Sequence, residues 1–175
     1  TLDANRSPVP WVDRDYFHIH KNSGRDAVLV STPFKDPHSG KWHIDVSRPL
    51  WDHGAFGGVM VLSMDTEYFS YFFQSVGLGK QGLVSMVSDS GVVMARSLDP
   101  GRFTGGLIRD VPFLMPGAAL EGHFHRVSPF DGVARSYGYV RVPDYGVTLV
   151  AAAGIDEQMA PLTHQRIVFM AMAVC

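Results

Sequence analysis

The chain has 175 residues, room for one domain of ordinary size or two small ones, and 46% of them are hydrophobic while 18% are charged. That balance excludes intrinsic disorder, and a formal net charge of −2 leaves no electrostatic footprint for a nucleic-acid partner. The single cysteine, Cys175, excludes a disulfide framework and a structural zinc site of three or four thiolates.

A valine-rich chain with many aspartates, few glutamates, 18 glycines and 11 prolines predicts β-structure joined by tight turns. After a Pro-broken start that includes the sequon Asn5-Arg6-Ser7, residues 13–20 form a dense polar-aromatic cluster. Residues 27–34 read as a strand, and Asp36-Pro37-His38-Ser39-Gly40 as a turn. Residues 42–48 alternate, with Trp42, Ile44, Val46 and Arg48 on one face and His43, Asp45 and Ser47 on the other. After the turn Asp52-His53-Gly54, residues 56–64 complete a three-stranded antiparallel meander weakened at Gly57-Gly58.

The period then changes. Residues 66–76 carry Tyr68, Phe69, Phe72 and Phe73 at helical spacing, with Asp65 or Thr66 as cap and Gly77 or Gly79 as stop. Core packing explains this aromatic stripe. A second meander follows. Residues 83–88 and 92–97 flank Asp89-Ser90-Gly91, residues 98–120 are irregular with a short helix near 111–114, and strands occupy 122–130, 133–142 and 147–153. Residues 156–166 read as a polar helix leading into nine unbroken apolar residues, 167–175. Nine residues cannot span a bilayer, so they form either a final core strand or the start of a membrane helix. Their lack of polar alternation and their alanines favour the helix.

Few motifs carry chemistry. Gly77 to Gly82 fits G-x-G-x-x-G, but a helix precedes it and a strand follows, the reverse of a dinucleotide loop. The pairs His18/His20 and His123/His125 lack a third ligand at a standard spacing, so no metal and no cofactor is expected, and no nucleophile or acid–base pattern marks catalysis. The best functional cluster is Arg14, Tyr16, Phe17 and His20, a forked cation among aromatics. Arg48 extends an apolar strand face, where either a ligand anion or an internal partner such as Asp13 or Asp15 would explain it.

The runs Asp13-Arg14-Asp15-Tyr16-Phe17 with His20, Ser39-Gly40-Lys41-Trp42, Ser47-Arg48-Pro49, Gly54-Ala55-Phe56-Gly57-Gly58-Val59 and Asp65-Thr66-Glu67-Tyr68-Phe69 together resemble the double Cache family. These are PAS-like extracytoplasmic sensor domains of bacterial transmembrane receptors, and the resemblance is nearest to those of GGDEF diguanylate cyclases. It implies an α+β fold of Cache modules with antiparallel sheets flanked by helices. Residues 1–66 would be the C-terminal part of an incomplete membrane-distal module, 67–160 the linking helix and membrane-proximal module, and 161–175 the start of a transmembrane helix. Arg14-Asp15-Tyr16-Phe17 falls on the family's R-x-W-Y motif, which holds a ligand carboxylate. Phe34 falls near an expected Tyr, and Asp65 near an expected amine-binding Asp. The implied ligand-binding set is Arg14, Tyr16, Phe17, His20, Phe34, Arg48 and Asp65. The implied protein is a homodimeric inner-membrane receptor with this segment in the periplasm, binding a small carboxylate- or amine-bearing molecule and controlling a cytoplasmic output, cyclic-di-GMP synthesis. The alternatives are a ligand-free dimerisation scaffold, or the sensor of a histidine kinase or chemoreceptor.

Overall fold

A computed structural model describes residues 14–37 and 39–158. The sequon at Asn5, most of the expected helix 156–166 and the apolar tail 167–175 lie outside the described residues. Among the described residues no helix is long and apolar enough to cross a membrane.

The fold is α+β, with two antiparallel sheets. The first holds β1 (Leu29–Val30), β2 (Phe34–Lys35), β3 (Trp42–Asp52) and β4 (Ala55–Asp65), with β3 at its centre. The strand expected over 27–34 is broken, because β1 and β2 are two halves of one edge paired to β3. Val30 pairs with Val46 and Phe34 with His43, so the edge carries one residue more than β3, a bulge at Ser31-Thr32-Pro33. Pro33 has no N–H to give the ladder. Ser31 compensates: its N–H donates to the Asp45 carbonyl at 2.8 Å and its Oγ accepts from the Asp45 N–H at 2.9 Å. The β3–β4 hairpin turns on His53 and Gly54, both at positive φ, the geometry that matches strand twist in a two-residue loop. Leu50 pairs with Gly58 and Trp51 with Phe56, so Gly57 is a second bulge.

Residues 15–23 form a helix that the sequence pattern did not signal, α1 (Asp15–Ser23), closed by Gly24 at φ 61°. Only Tyr16 and His20, one turn apart, are buried on it, too narrow a stripe to register as amphipathic. At the end of β4, Asp65 caps α2 (Thr66–Gln74) by accepting from the Glu67 N–H at 2.8 Å. The aromatic stripe on α2 splits: Phe73 is buried and Phe69 packs beside it, while Tyr68, Tyr71 and Phe72 face outward.

The second sheet contains β5 (Leu83–Ser88), β6 (Val93–Arg96), β7 (Glu121–Val127), β8 (Ala134–Val142) and β9 (Val147–Gly154) in the order β6-β5-β9-β8-β7. The irregular segment after β6 includes a one-turn helix, α3 (Pro100–Phe103), and a 3-10 turn at Pro112–Leu114 that places Val111 and Phe113 in the core with Leu83, Val87, Tyr137, Tyr139 and Val150. A second core joins the two sheets. Ile44 of β3 and Phe73 of α2 pack with Met86, Met94, Ala95 and Val147. Beside them the Trp42 indole lies on the backbone of Gly105, where a Cβ would fall 2.6 Å from the ring.

Asp131 ties the β7–β8 loop to the second sheet. Its carboxylate accepts from Arg96 Nη2 at 2.8 Å and from Arg135 Nη1 at 2.7 Å, and both arginines are almost wholly buried. Burial alone would raise the Asp131 pKa, but hydrogen bonds from Arg135, Ser128 and the Val133 N–H bring it down to about 2. Asp131→Asn leaves two buried guanidiniums short of their counter-ion and is expected to cost about 3–5 kcal/mol in denaturant unfolding. In the wild type, a carboxylate whose folded pKa is depressed contributes stability that is complete above its unfolded value and lost as pH falls. Acid titration of unfolding should therefore show a loss of about 2 kcal/mol between roughly pH 4 and pH 2, absent in Asp131→Asn.

Candidate ligand site under the first helix

Side chains along β3 alternate between two faces. Trp42, Ile44 and Val46 point toward α2 and the second sheet. His43, Asp45 and Ser47 point the other way, toward α1. Cross-strand neighbours extend this second face: Phe34 lies opposite His43 and Leu29 opposite Ser47 on one side, and Asp65 opposite His43 and Ser63 opposite Asp45 on the other.

Helix α1 covers part of this face. His20, 1% exposed, meets Ser47 Oγ through Nε2 at 3.0 Å, which fixes the helix on β3. Burial pushes the His20 pKa down, partly offset by Ser47. One turn earlier, Tyr16 is buried and its hydroxyl has no hydrogen-bond partner among the described residues. Burial pushes the Tyr16 phenol up, the Asp45 carboxylate pushes it further, and Arg14 opposes both. Asp45 is 3% exposed, and its Oδ1 also lacks a partner among the described residues. Its backbone is fully committed to Ser31, so the carboxylate is held in place. Arg14, just before α1, carries its guanidinium 4.9 Å above the Phe34 ring. A phenol and a carboxylate with open hydrogen-bonding capacity thus share one face with a stacked guanidinium.

Of the residues singled out in the sequence, the structure brings together Arg14, Tyr16, His20 and Phe34. Phe17 turns to the far end of the β3–β4 hairpin, edge-on to Phe56 at 5.5 Å, which in turn meets Trp51. Arg48 lies past the sheet-to-sheet contact on the opposite face of β3, exposed, in a two-pronged pair with Asp26 at 2.8 Å per bond. Its partner is Asp26, not Asp13 or Asp15. Asp65 shares the site's face, but its side chain caps α2 and pairs with Lys41 at 3.0 Å. Sequence reading missed Asp45 and Ser47, because an alternating polar face reads as the solvent side of a strand. His123 and His125 sit on the exposed side of β7, and the described residues hold no cluster of three metal-ligating side chains.

The fold is a two-sheet α+β domain with a candidate binding site under its first helix. The sequence matches the dCache_1-like family, described as a histidine kinase sensor domain, over residues 66–153. The chain belongs to that family. Among solved structures it is similar to the extracellular domain of rpHK1S-Z16, a protein described as a histidine kinase, at 30% identity and TM-score 0.72, over 88% of this chain and 66% of that one. The ligand-binding domain of Mlp24 with asparagine matches at 19% identity and TM-score 0.59, over 93% of this chain and 63% of that one. The ligand-binding domain of the Pseudomonas aeruginosa PAO1 amino-acid chemoreceptor PctC in complex with GABA matches at 17% identity and TM-score 0.62, over 87% and 67%. These last two likenesses show the fold alone. The chain spans slightly less than two thirds of the length of the first two. No curated protein sequence matches it.

Two outcomes check the site's energetics. A buried carboxylate oxygen without a partner destabilises the ligand-free fold, so Asp45→Asn should raise its unfolding free energy by about 1–2 kcal/mol in denaturant titration. A merely structural Asp45 would give the opposite sign. His20, whose folded pKa lies below its unfolded one, binds protons more readily in the unfolded chain. Stability should therefore fall as pH drops below about 6.5, and His20→Gln should flatten that slope.

Proposed function

We propose that the chain is the ligand-sensing region of a transmembrane receptor, and that its ligand is a small zwitterion carrying a carboxylate and an amine. The observation that carries this reading is the juxtaposition of Tyr16 and Asp45, each with an oxygen unpartnered among the described residues, with Arg14 beside them. An ammonium supplies the donors that Asp45 lacks, and the planar fork of Arg14 suits a carboxylate. Asparagine in Mlp24 and GABA in PctC are ligands of this charge pattern, which supports the choice.

In this reading residues up to 66 belong to a membrane-distal module. Residues 67–160 form the linking helix and membrane-proximal module, and 161–175 begin a transmembrane helix of a homodimer, with the sensing region in the periplasm. Ligand binding biases a two-state arrangement of the modules and so a cytoplasmic output. Sequence resemblance supports a diguanylate cyclase output, whereas the family description supports a histidine kinase.

The test is a calorimetric and thermal-shift panel of amino acids, GABA, simple amines and simple carboxylates. A zwitterion is expected to bind best and, at about a hundredfold excess over Kd, to stabilise the fold by about 2.7 kcal/mol. Asp45→Asn and Arg14→Gln should each cost about 2–5 kcal/mol of binding. If the panel produces no stabilisation, the reading gives way to a ligand-free scaffold. Unchanged affinity in both variants would move the site elsewhere.

A further inference from the structure

The second sheet has a small, half-open cleft of its own between β5, β7, β8 and β9 and the segment that crosses from β6. Its walls are mostly apolar and aromatic, with Phe113, Phe124, Phe130 and Tyr137 among them, yet two arginines, Arg96 and Arg126, also line it. Arg96 is 2% exposed. Its Nε donates to the Leu98 carbonyl at 3.0 Å and its Nη2 to Asp131 at 2.8 Å, while its guanidinium stacks on Phe103 and Phe130. Nη1 has no part in these bonds.

The charge around Arg96 does not balance. Arg96 and Arg135 are both buried and share the single carboxylate of Asp131, and Asp99 attracts Arg96 only from beyond ion-pair distance. Burial, with help from Arg135, holds the Arg96 guanidinium below its ordinary range despite Asp131. Arg126 adds a further positive charge at the wall, its Nη1 donating to the carbonyls of Arg109 and Asp110. Burying net positive charge against apolar walls is unfavourable unless an anion completes the set.

We propose that this cleft is a second ligand site, for a small monocarboxylate with an apolar body. The carboxylate would take its hydrogen bonds from Arg96 and Arg126, and the body would lie against Phe124, Phe130 and Tyr137. The apolar lining favours an organic carboxylate over a strongly hydrated inorganic anion. This site lies in the other module from the one under α1 and does not depend on it.

The test is titration of propanoate into the isotope-labelled chain, followed by amide NMR, with chloride at matched ionic strength as control. Saturable shifts are expected at Ser85, Arg96, Phe124, Arg126 and Ser128, and not within residues 14–65. Arg96 itself is a poor target because it anchors the β7–β8 loop. Arg126→Gln should weaken binding by about tenfold or more, and Ile108→Phe, which fills the cleft from the crossing segment, should abolish it. The proposal is overturned by the absence of saturable shifts up to on the order of tens of millimolar, by shifts centred on residues 14–65, or by unchanged affinity in both variants.

Discussion

Ile44 and Asp45 are adjacent in sequence and face opposite ways, and this alternation of β3 organises the molecule. Ile44, 1% exposed, is the point where the first sheet enters the shared core with Phe73, Met86 and Met94. Asp45 stands on the other side, beneath α1. A register slip of one residue would exchange the two, placing a carboxylate in the apolar junction and an isoleucine under Tyr16. The register is therefore held from both edges, by the long ladder to β4 and by the bulge at Ser31, whose side chain and backbone both grip Asp45. The bulge that breaks the edge strand is also what fixes the candidate ligand-binding carboxylate.

From the junction, packed contacts run on to the end of the described chain. Phe73 on α2 shares the core with Ile44, and α2 ends in the loop 77–82. That loop carries a G-x-G-x-x-G pattern, and its backbone does hold an anion, though an internal one. The N–H groups of Lys80 and Gln81 each donate at 2.9 Å to the carboxylate of Glu157, in the helical turn 155–158 that follows β9. These bonds keep Glu157 below the usual carboxylate range. Gly79, at φ 87°, is required on two counts: its backbone is left-handed, and a Cβ there would lie 2.7 Å from the Glu157 carboxylate. The site under α1 is thus connected, through β3, α2 and this loop, to the segment by which the chain leaves the second sheet. This is a contiguous physical route; a switch additionally needs an element with two arrangements.

The sequence made the strands of the second sheet legible, because valine-rich runs separated by Asp-Gly and Pro-Asp-Tyr-Gly turns carry their own boundaries. It also showed the β3–β4 hairpin through Asp52-His53-Gly54, and the start of α2 through Asp65. It concealed α1, whose burial rests on Tyr16 and His20 alone, and the break in the first edge strand, which depends on Pro33 and the reach of Ser31. The candidate site was legible on the helix side, where Arg14 and Tyr16 are an unusual pairing. On the strand side the alternation was legible, but not that the polar face of β3 is a covered one, with Asp45 and Ser47 buried. Arg48 shows the converse, a charge on the apolar face that the sheet simply outgrows, so that it meets Asp26 at the surface.

Asp131 and Asp45 show how a structural carboxylate differs from a candidate ligand-binding one. Asp131 is partly exposed, yet it is shared by two arginines and supported by the Val133 N–H, and this support outweighs its desolvation. Asp45 is more deeply buried, yet among the described residues it keeps an oxygen without a partner beside a phenol in the same condition. A fold selected for stability alone would fill that gap with a donor of its own, as β8 does for Asp131 with Arg135. Leaving it open costs stability in the free protein, a cost that a molecule bearing the missing donors would offset on binding. The strand that supplies Asp45 also carries Ile44 into the core shared by the two sheets, so this unfilled position lies one residue from the contact between them.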